Sequence, residues 1–448
     1  MKYPLSEKIG NPDILVGREK EFALLDKWIS KIPRRLSKSR VILARRKSGK
    51  TAVVQRIFNR LWSENGKIIP FYFSFPETKK WLPELAADYY RTFASQYISF
   101  LERDEKPVDT PYSLEQIREY GRANSVEILE HDYNLLKGDS EKGNYGLMWK
   151  TAYTAPQRFA SWYDIRVLVI LDEFQNITQY IYHDKECRTE PNKTLAGSFH
   201  DVVESKTAPM LVTGSYVGWL ISVIDKYLEA GRLKRQFMNP YLTPGEGLQA
   251  VYRYAQFCDE PVTNETAEQI NRLCLSDPFF ISCVIQSEYE NKNLTTQEGV
   301  VNTVNYEITD KSSEMSMTWG EYLELTLKKV NDRYAKAMLL HLSKYHEKDW
   351  THKELKDELG LEISENEIRE KLEIMIKADV IEKGASDIRY RGLKDGTLNL
   401  ILRHRFEEEI KNFIPDLKKD FNEELEKLKA DNCKKLPGKS QGIFSMFF

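Results

Sequence analysis

The chain lacks the marks of a secreted, membrane-spanning or broadly polyanion-binding protein. Its five cysteines are an odd number without a C-x-x-C pair, and the nearest two, Cys274 and Cys283, stand nine apart. That argues against a disulfide framework and a structural zinc site, so reduced thiols in a cytoplasmic protein are the expectation. Long apolar runs are missing: the longest, such as 167–171, are strand-sized, far below the ~20 residues of a membrane helix. The opening Met1-Lys2-Tyr3-Pro4-Leu5-Ser6 has no apolar signal-peptide core. Neither charge sign dominates, since 66 Lys and Arg face 68 Asp and Glu for a net of −2, and no chain-wide nucleic-acid signature results. The seven histidines show no metal-ligand spacing, and no repeat or low-complexity tract is evident.

What is present reads as globular. At 448 residues and 41% hydrophobic content the chain has room for about three domains. Four short apolar runs, 41–44, 68–75, 167–171 and 210–213, alternate with helix-like stretches over the first 240 residues. Runs without a polar face suit parallel strands covered by helices on both sides, which makes this part α/β. From about Thr243 only helical periodicity remains, with Asp277-Pro278 marking a helix start.

Directly after the first run comes Ala44-Arg45-Arg46-Lys47-Ser48-Gly49-Lys50-Thr51, followed by a helix-like stretch 52–62. Strand, loop and helix in this order form a phosphate-binding loop, whose backbone N–H groups and helix dipole favour anionic oxygen. Lys50 would reach the β- and γ-phosphates of a nucleotide and Thr51 would ligate Mg²⁺, while Gly49 lets backbone approach phosphate closely. Ala44 replaces the first glycine of the usual pattern. The third run ends in Asp172-Glu173, which places two carboxylates at the carboxyl edge of the sheet, where such sheets bind ligands. Asp172 is then the metal partner and Glu173 the residue that orients the attacking water. The fourth run ends in Thr213-Gly214-Ser215; Ser215 is the favoured contact to the γ-phosphate or the water, with Thr213 as alternate.

These residues resemble the prokaryotic, archaeal-type P-loop ATPases of the STAND/AAA-like superfamily over about residues 11–410. The resemblance rests on Val16-Gly17-Arg18-Glu19-Lys20-Glu21, the 45–51 loop, Leu171-Asp172-Glu173-Phe174-Gln175 and Val212-Thr213-Gly214-Ser215. It implies that the Gly17-Arg18 box lies near the adenine, and that Arg45, Arg46, Lys47 and Ser48 line the phosphates with Gly49, Lys50 and Thr51. ATP and Mg²⁺ are the implied cofactors. An arginine after the fourth strand is also implied as a transition-state stabiliser, in cis or across a subunit interface, with Arg232 preferred to Arg235.

The 121 positions between Thr51 and Asp172 exceed what one strand and one helix require. The surplus, about 76–163, reads as an inserted helical subdomain, with helices opening at Trp81-Leu82-Pro83 and at the capping box Ser113–Gln116. Its aromatics, Tyr89, Tyr90, Phe93, Tyr97 and Phe100, are expected in the core.

The expected domains are a P-loop ATPase core (1–242), a helical lid (243–315), a winged-helix module (320–412) and a charged tail (413–448), partly helical and then disordered. Within 364–378 four acids face three bases, while 381–405 carries six bases against three acids. That balance favours a protein-contacting or regulatory wing over a DNA reader. The expected function is a nucleotide-driven conformational switch with slow ATP hydrolysis, acting on a protein partner or through self-association. The alternative is a DNA-associated ATPase of a defence or mobile-element system. Relatives of that kind continue into a nuclease-like domain; with about 35 residues after Phe413, no nuclease activity is expected here.

Overall fold

The computed structural model describes residues 1–228, 231–330, 334–378, 380–393 and 401–402. The expectation for the tail, 413–448, lies outside the described residues. The chain divides into two compact units: Met1–Arg253 with Asp277–Phe279 and Met375–Asp379, and the remainder.

The first unit is built on five parallel strands: β1 (Arg40–Leu43), β2 (Ile68–Ser74), β3 (Arg166–Asp172), β4 (Met210–Val212) and β5 (Lys234–Phe237). Their order across the sheet is β2-β3-β4-β1-β5. Four of them are the apolar runs of the sequence. Val167 to Leu171 are all buried, because helices cover both faces of the sheet. β5 was not legible: Lys234-Arg235-Gln236-Phe237 is polar and largely exposed at the edge.

The helices follow from local signals. Helix α1 (Glu19–Ile29) has acids in its first turn and Lys27 in its last, complementing the helix dipole. Helix α2 (Lys50–Glu64) starts at Gly49 with φ 82° and no side-chain cap. The region 82–162 holds α3 (Leu82–Glu102), α4 (Leu114–Ala123), α5 (Glu127–Glu141) and α6 (Tyr145–Trp162). The capping box of α4 forms in both directions between Ser113 and Gln116.

Tyr89, Tyr90, Phe93, Tyr97 and Phe100 are buried as core. Asp132 on α5, fully buried, accepts a bidentate pair from Arg158 on α6 at 2.6 and 2.8 Å. On the edge strand β2, the Gln96 amide from α3 meets both Tyr72 N–H (2.8 Å) and Tyr72 C=O (3.1 Å). That occupies an edge otherwise open to a foreign strand. Helices α7 (Val217–Tyr227) and α8 (Pro244–Phe257) follow β4 and β5.

The second unit is helical at first, with α9 (Asn264–Leu273), α10 (Pro278–Ile285, whose first two residues belong to the first unit), α11 (Gln297–Thr309) and α12 (Glu314–Val330). It then runs α13 (Ala335–Lys344), β6 (Trp350–Thr351), α14 (His352–Leu359), α15 (Glu365–Lys377, whose last three residues belong to the first unit), β7 (Ile381–Lys383) and β8 (Arg389–Gly392). These three strands form an antiparallel sheet in the order β6-β8-β7. Among the described residues no helix is long and apolar enough to cross a membrane, and Cys187 and Cys258 are free thiols.

Candidate nucleotide site

Parallel strands deliver their carboxyl ends to one edge, and three of those ends meet here. β1 leads into the 44–51 loop, β3 into Asp172-Glu173 and β4 into Thr213-Gly214-Ser215. Thr51 Oγ1 donates to Asp172 Oδ2 at 2.8 Å across 121 positions of chain. The Lys50 ammonium is buried and donates to the carbonyls of Ala44 (2.6 Å) and Arg45 (2.7 Å), so it lies inside the curl of its own loop. Ser48 Oγ closes that curl onto Arg45 C=O at 2.6 Å. Gly49 offers no side-chain cap to the first N–H groups of α2, and such groups suit phosphate oxygens.

The two acids are held differently. Asp172 accepts Thr51 and Tyr72 OH (3.1 Å) on Oδ2, and Thr213 Oγ1 and the Glu173 N–H (3.1 Å) on Oδ1. Burial and the Asp172 carboxylate push the Tyr72 phenol well above its ordinary value, so it remains a donor at physiological pH. Glu173 has a left-handed backbone, φ 51°, which turns its carboxylate toward β4. There Oε1 accepts Ser215 Oγ, and Oε2 accepts Ser215 N–H (3.1 Å) and Gln175 Nε2 (2.6 Å). The sequence left Ser215 and Thr213 as alternates; each serves one carboxylate.

Gly17 and Arg18 sit behind the loop. Gly17 has φ 71°, and a Cβ there would lie 2.9 Å from Glu246, which also accepts the Glu19 N–H at 3.2 Å. The Arg18 guanidinium, buried, donates to Ser48 C=O (2.9 Å), Pro240 C=O (2.8 Å) and Asn239 C=O. It braces the loop against 239–241. Arg45 pairs with Asp277 at 2.7 Å and stacks over Tyr241, and the Lys47 ammonium lies 4.6 Å from the Phe279 ring centroid. Arg46 lies on the loop, half-buried.

Arg232 is not brought to this place. β5 runs parallel to β1 with Lys234 beside Arg40, so Arg232 lies at the opposite, amino edge, paired with Glu204 at 3.1 Å. Arg235 pairs with Asp225. Neither stands at the loop of its own chain, because a parallel strand must begin where its neighbours begin.

Neither Tyr72 nor the role of Gln175 is legible in the sequence. Gln175 is fully buried, and its Oε1 has no hydrogen-bond partner. Tyr72 carried no signal beyond its place in an apolar run.

The residues fit a nucleotide with Mg²⁺. Among the described residues no group of three or more His, Cys, Asp or Glu could hold a metal, and a magnesium ion held by one hydroxyl, one carboxylate and substrate phosphates needs no such cage.

No family model matches the chain, and no curated protein matches it. Solved structures do. The chain is similar to the Walker-type ATPase paby2304 of Pyrococcus abyssi, with 16% identity, 87% of this chain and 96% of that chain covered, and a TM-score of 0.57. Looser likenesses are the Aeropyrum pernix ORC2 protein in its ADP form (12% identity, 89% and 96% covered, TM-score 0.47) and the Thermotoga maritima RuvB Holliday junction branch migration motor (11%, 89% and 96%, 0.39). The fold is thus α/β, a parallel-sheet core of the P-loop ATPase kind with many helices.

Proposed function

We propose that the protein binds ATP with Mg²⁺ and hydrolyses it slowly, as a nucleotide-driven conformational switch. The observation that carries this is the convergence of Lys50-Thr51 with Asp172-Glu173, joined by the Thr51–Asp172 hydrogen bond. Lys50 and the N–H groups opening α2 bind the phosphates. Thr51 and Asp172 are the protein's ligands to the cation, which supplies charge neutralisation on the phosphate oxygens. Glu173 accepts a hydrogen bond from the attacking water and takes its proton, held in place by Ser215 and Gln175. Slow turnover is expected because Arg232 and Arg235 stand at the opposite sheet edge, so neither supplies the transition-state arginine that the resemblance implies.

The STAND/AAA-like assignment and the division into core, lid, winged-helix module and tail belong to the same proposal. It is supported by the helix, strand and hairpin order of 335–392. The net negative 364–378 segment favours a protein contact there over DNA. Two variants test the reading. Lys50→Ala abolishes binding of a fluorescent ATP analogue, and Glu173→Gln retains binding but stops phosphate release. Wild-type turnover by Glu173→Gln would remove the water-activating role.

A further inference from the structure

The sheet edge opposite the nucleotide loop carries a second chemistry. Residues 27–40 hold Lys27, Lys31, Arg34, Arg35, Lys38 and Arg40 and no Asp or Glu. The fold makes this run a fixed platform. Between α1 and β1 the connection is anchored by the buried Trp28 and Ile32. Trp28 Nε1 donates to Lys38 C=O at 2.9 Å and Ser37 Oγ to Trp28 C=O at 2.8 Å. Arg35 takes a left-handed backbone (φ 58°), and its N–H donates to Ile32 C=O at 2.9 Å.

From this platform the side chains of Lys31, Arg34 and Lys38 are exposed and make no ion pair among the described residues. The nearby acids are taken. Asp164 pairs with Arg35 and Arg166, while Asp26 and Glu64 pair with Arg60. Lys67, immediately before β2, is likewise exposed and without an ion pair among the described residues. It shares a surface cavity of about 410 Å³ with Ser30 and Pro33. Two exposed apolar side chains stand close to the Arg35–Asp164 pair along the chain: Leu36, next to Arg35 and 66% exposed, and Trp162, two residues before Asp164 and 63% exposed.

The helix dipole does not explain these cations. Its pull fades beyond the last turn, and in α1 only Lys27 lies in that turn. We propose that this amino edge binds single-stranded nucleic acid, with Lys31, Arg34, Lys38 and Lys67 on the phosphates and Trp162 stacked on a base. Phosphates recruit unpaired cations by releasing condensed counterions, and an exposed indole adds sequence-tolerant stacking to an unpaired base. A duplex would leave the indole without a base face. The inference is independent of the nucleotide reading and of the 335–392 module.

The test is fluorescence anisotropy of the full chain with a labelled oligothymidylate over a salt series. Lys31→Gln/Arg34→Gln/Lys38→Gln is expected to weaken binding at least tenfold at low salt. It also makes the slope of log K against log salt shallower by about 2, since each phosphate neutralised on a single strand contributes roughly 0.7 to that slope. Trp162→Ala weakens binding with the slope unchanged. A wild-type thermal midpoint shows that both variants fold. Three results overturn the inference: no binding by the wild-type chain at low salt; wild-type affinity and slope in the triple variant, which would place the binding surface elsewhere; or vesicles containing phosphatidylserine binding this edge while oligothymidylate does not.

Discussion

On the proposed reading, in which Glu173 activates the water, Gln175→Leu separates a residue that positions that carboxylate from one that merely fills space. Gln175 Nε2 donates to Glu173 Oε2 at 2.6 Å, while its own Oε1 is buried without a partner. The amide is oriented by its two acceptors, the Glu173 carboxylate and, at 3.3 Å, Asn176 Oδ1. Leucine occupies similar volume and removes both features. A hydrogen bond to a charged group contributes about 1.5–3 kcal/mol, so at about 1.36 kcal/mol per factor of ten its loss slows turnover about 10- to 150-fold. Loss of the orphaned Oε1 offsets the stability lost with the bond, since an unsatisfied buried acceptor costs about 1–3 kcal/mol. The expected signature is a fall in kcat, an unchanged Kd for a fluorescent ATP analogue and a thermal midpoint at or above wild type. Phosphate release, equilibrium titration and thermal unfolding read the three quantities. Wild-type kcat in a normally folded variant would refute the positioning role, and a kcat loss matched by a large drop in midpoint would reduce it to structure.

Gly214→Ala reaches the same assembly from β4: its Cβ would lie 2.0 Å from Gln175 Oε1 and 3.2 Å from Leu220. Turnover falls while ATP affinity holds, and in a Gln175→Leu background the two losses are less than additive, which a double-mutant cycle measures. Arg158→Ala leaves the fully buried Asp132 carboxylate uncompensated and destabilises the first unit by about 2–3 kcal/mol, toward the low end for a buried pair because Arg158 is partly exposed; urea denaturation reads this directly. In the second unit, burial raises the Glu307 carboxyl above its ordinary value despite donation from Ser287 at 2.6 Å. A raised folded-state value gives stability that is full below the unfolded value and lost as pH rises through the folded one. Glu307→Gln is therefore expected to raise the unfolding midpoint at neutral pH and leave it near wild type at about pH 4; an equal shift at both would contradict the assignment.

The candidate site was partly legible because its largest pieces are continuous in the chain. Loop 44–51 and the strand ending in Asp172-Glu173 each carry their order and geometry locally. So does the Ser113–Gln116 cap. What escaped was carried by distance or exposure. Tyr72 reaches Asp172 across 100 positions, and Arg18 reaches Pro240 across 222. β5 gave no signal because an exposed edge strand needs no apolar run; Phe237 is 72% exposed there. Arg232 was referred to the site by its place in the chain order, and the parallel start of β5 put it at the other edge.

The sequence by itself determined the strand–loop–helix order around Gly49-Lys50-Thr51 and the acidic strand end at Asp172-Glu173, since both depend on backbone conformation and burial over a few consecutive residues. Only the tertiary structure decided that β4 lies between their strands. That order gives Thr213 to Asp172 and Ser215 to Glu173. Strand order is settled by which apolar faces pack best across the whole sheet, and no short stretch of chain contains that information.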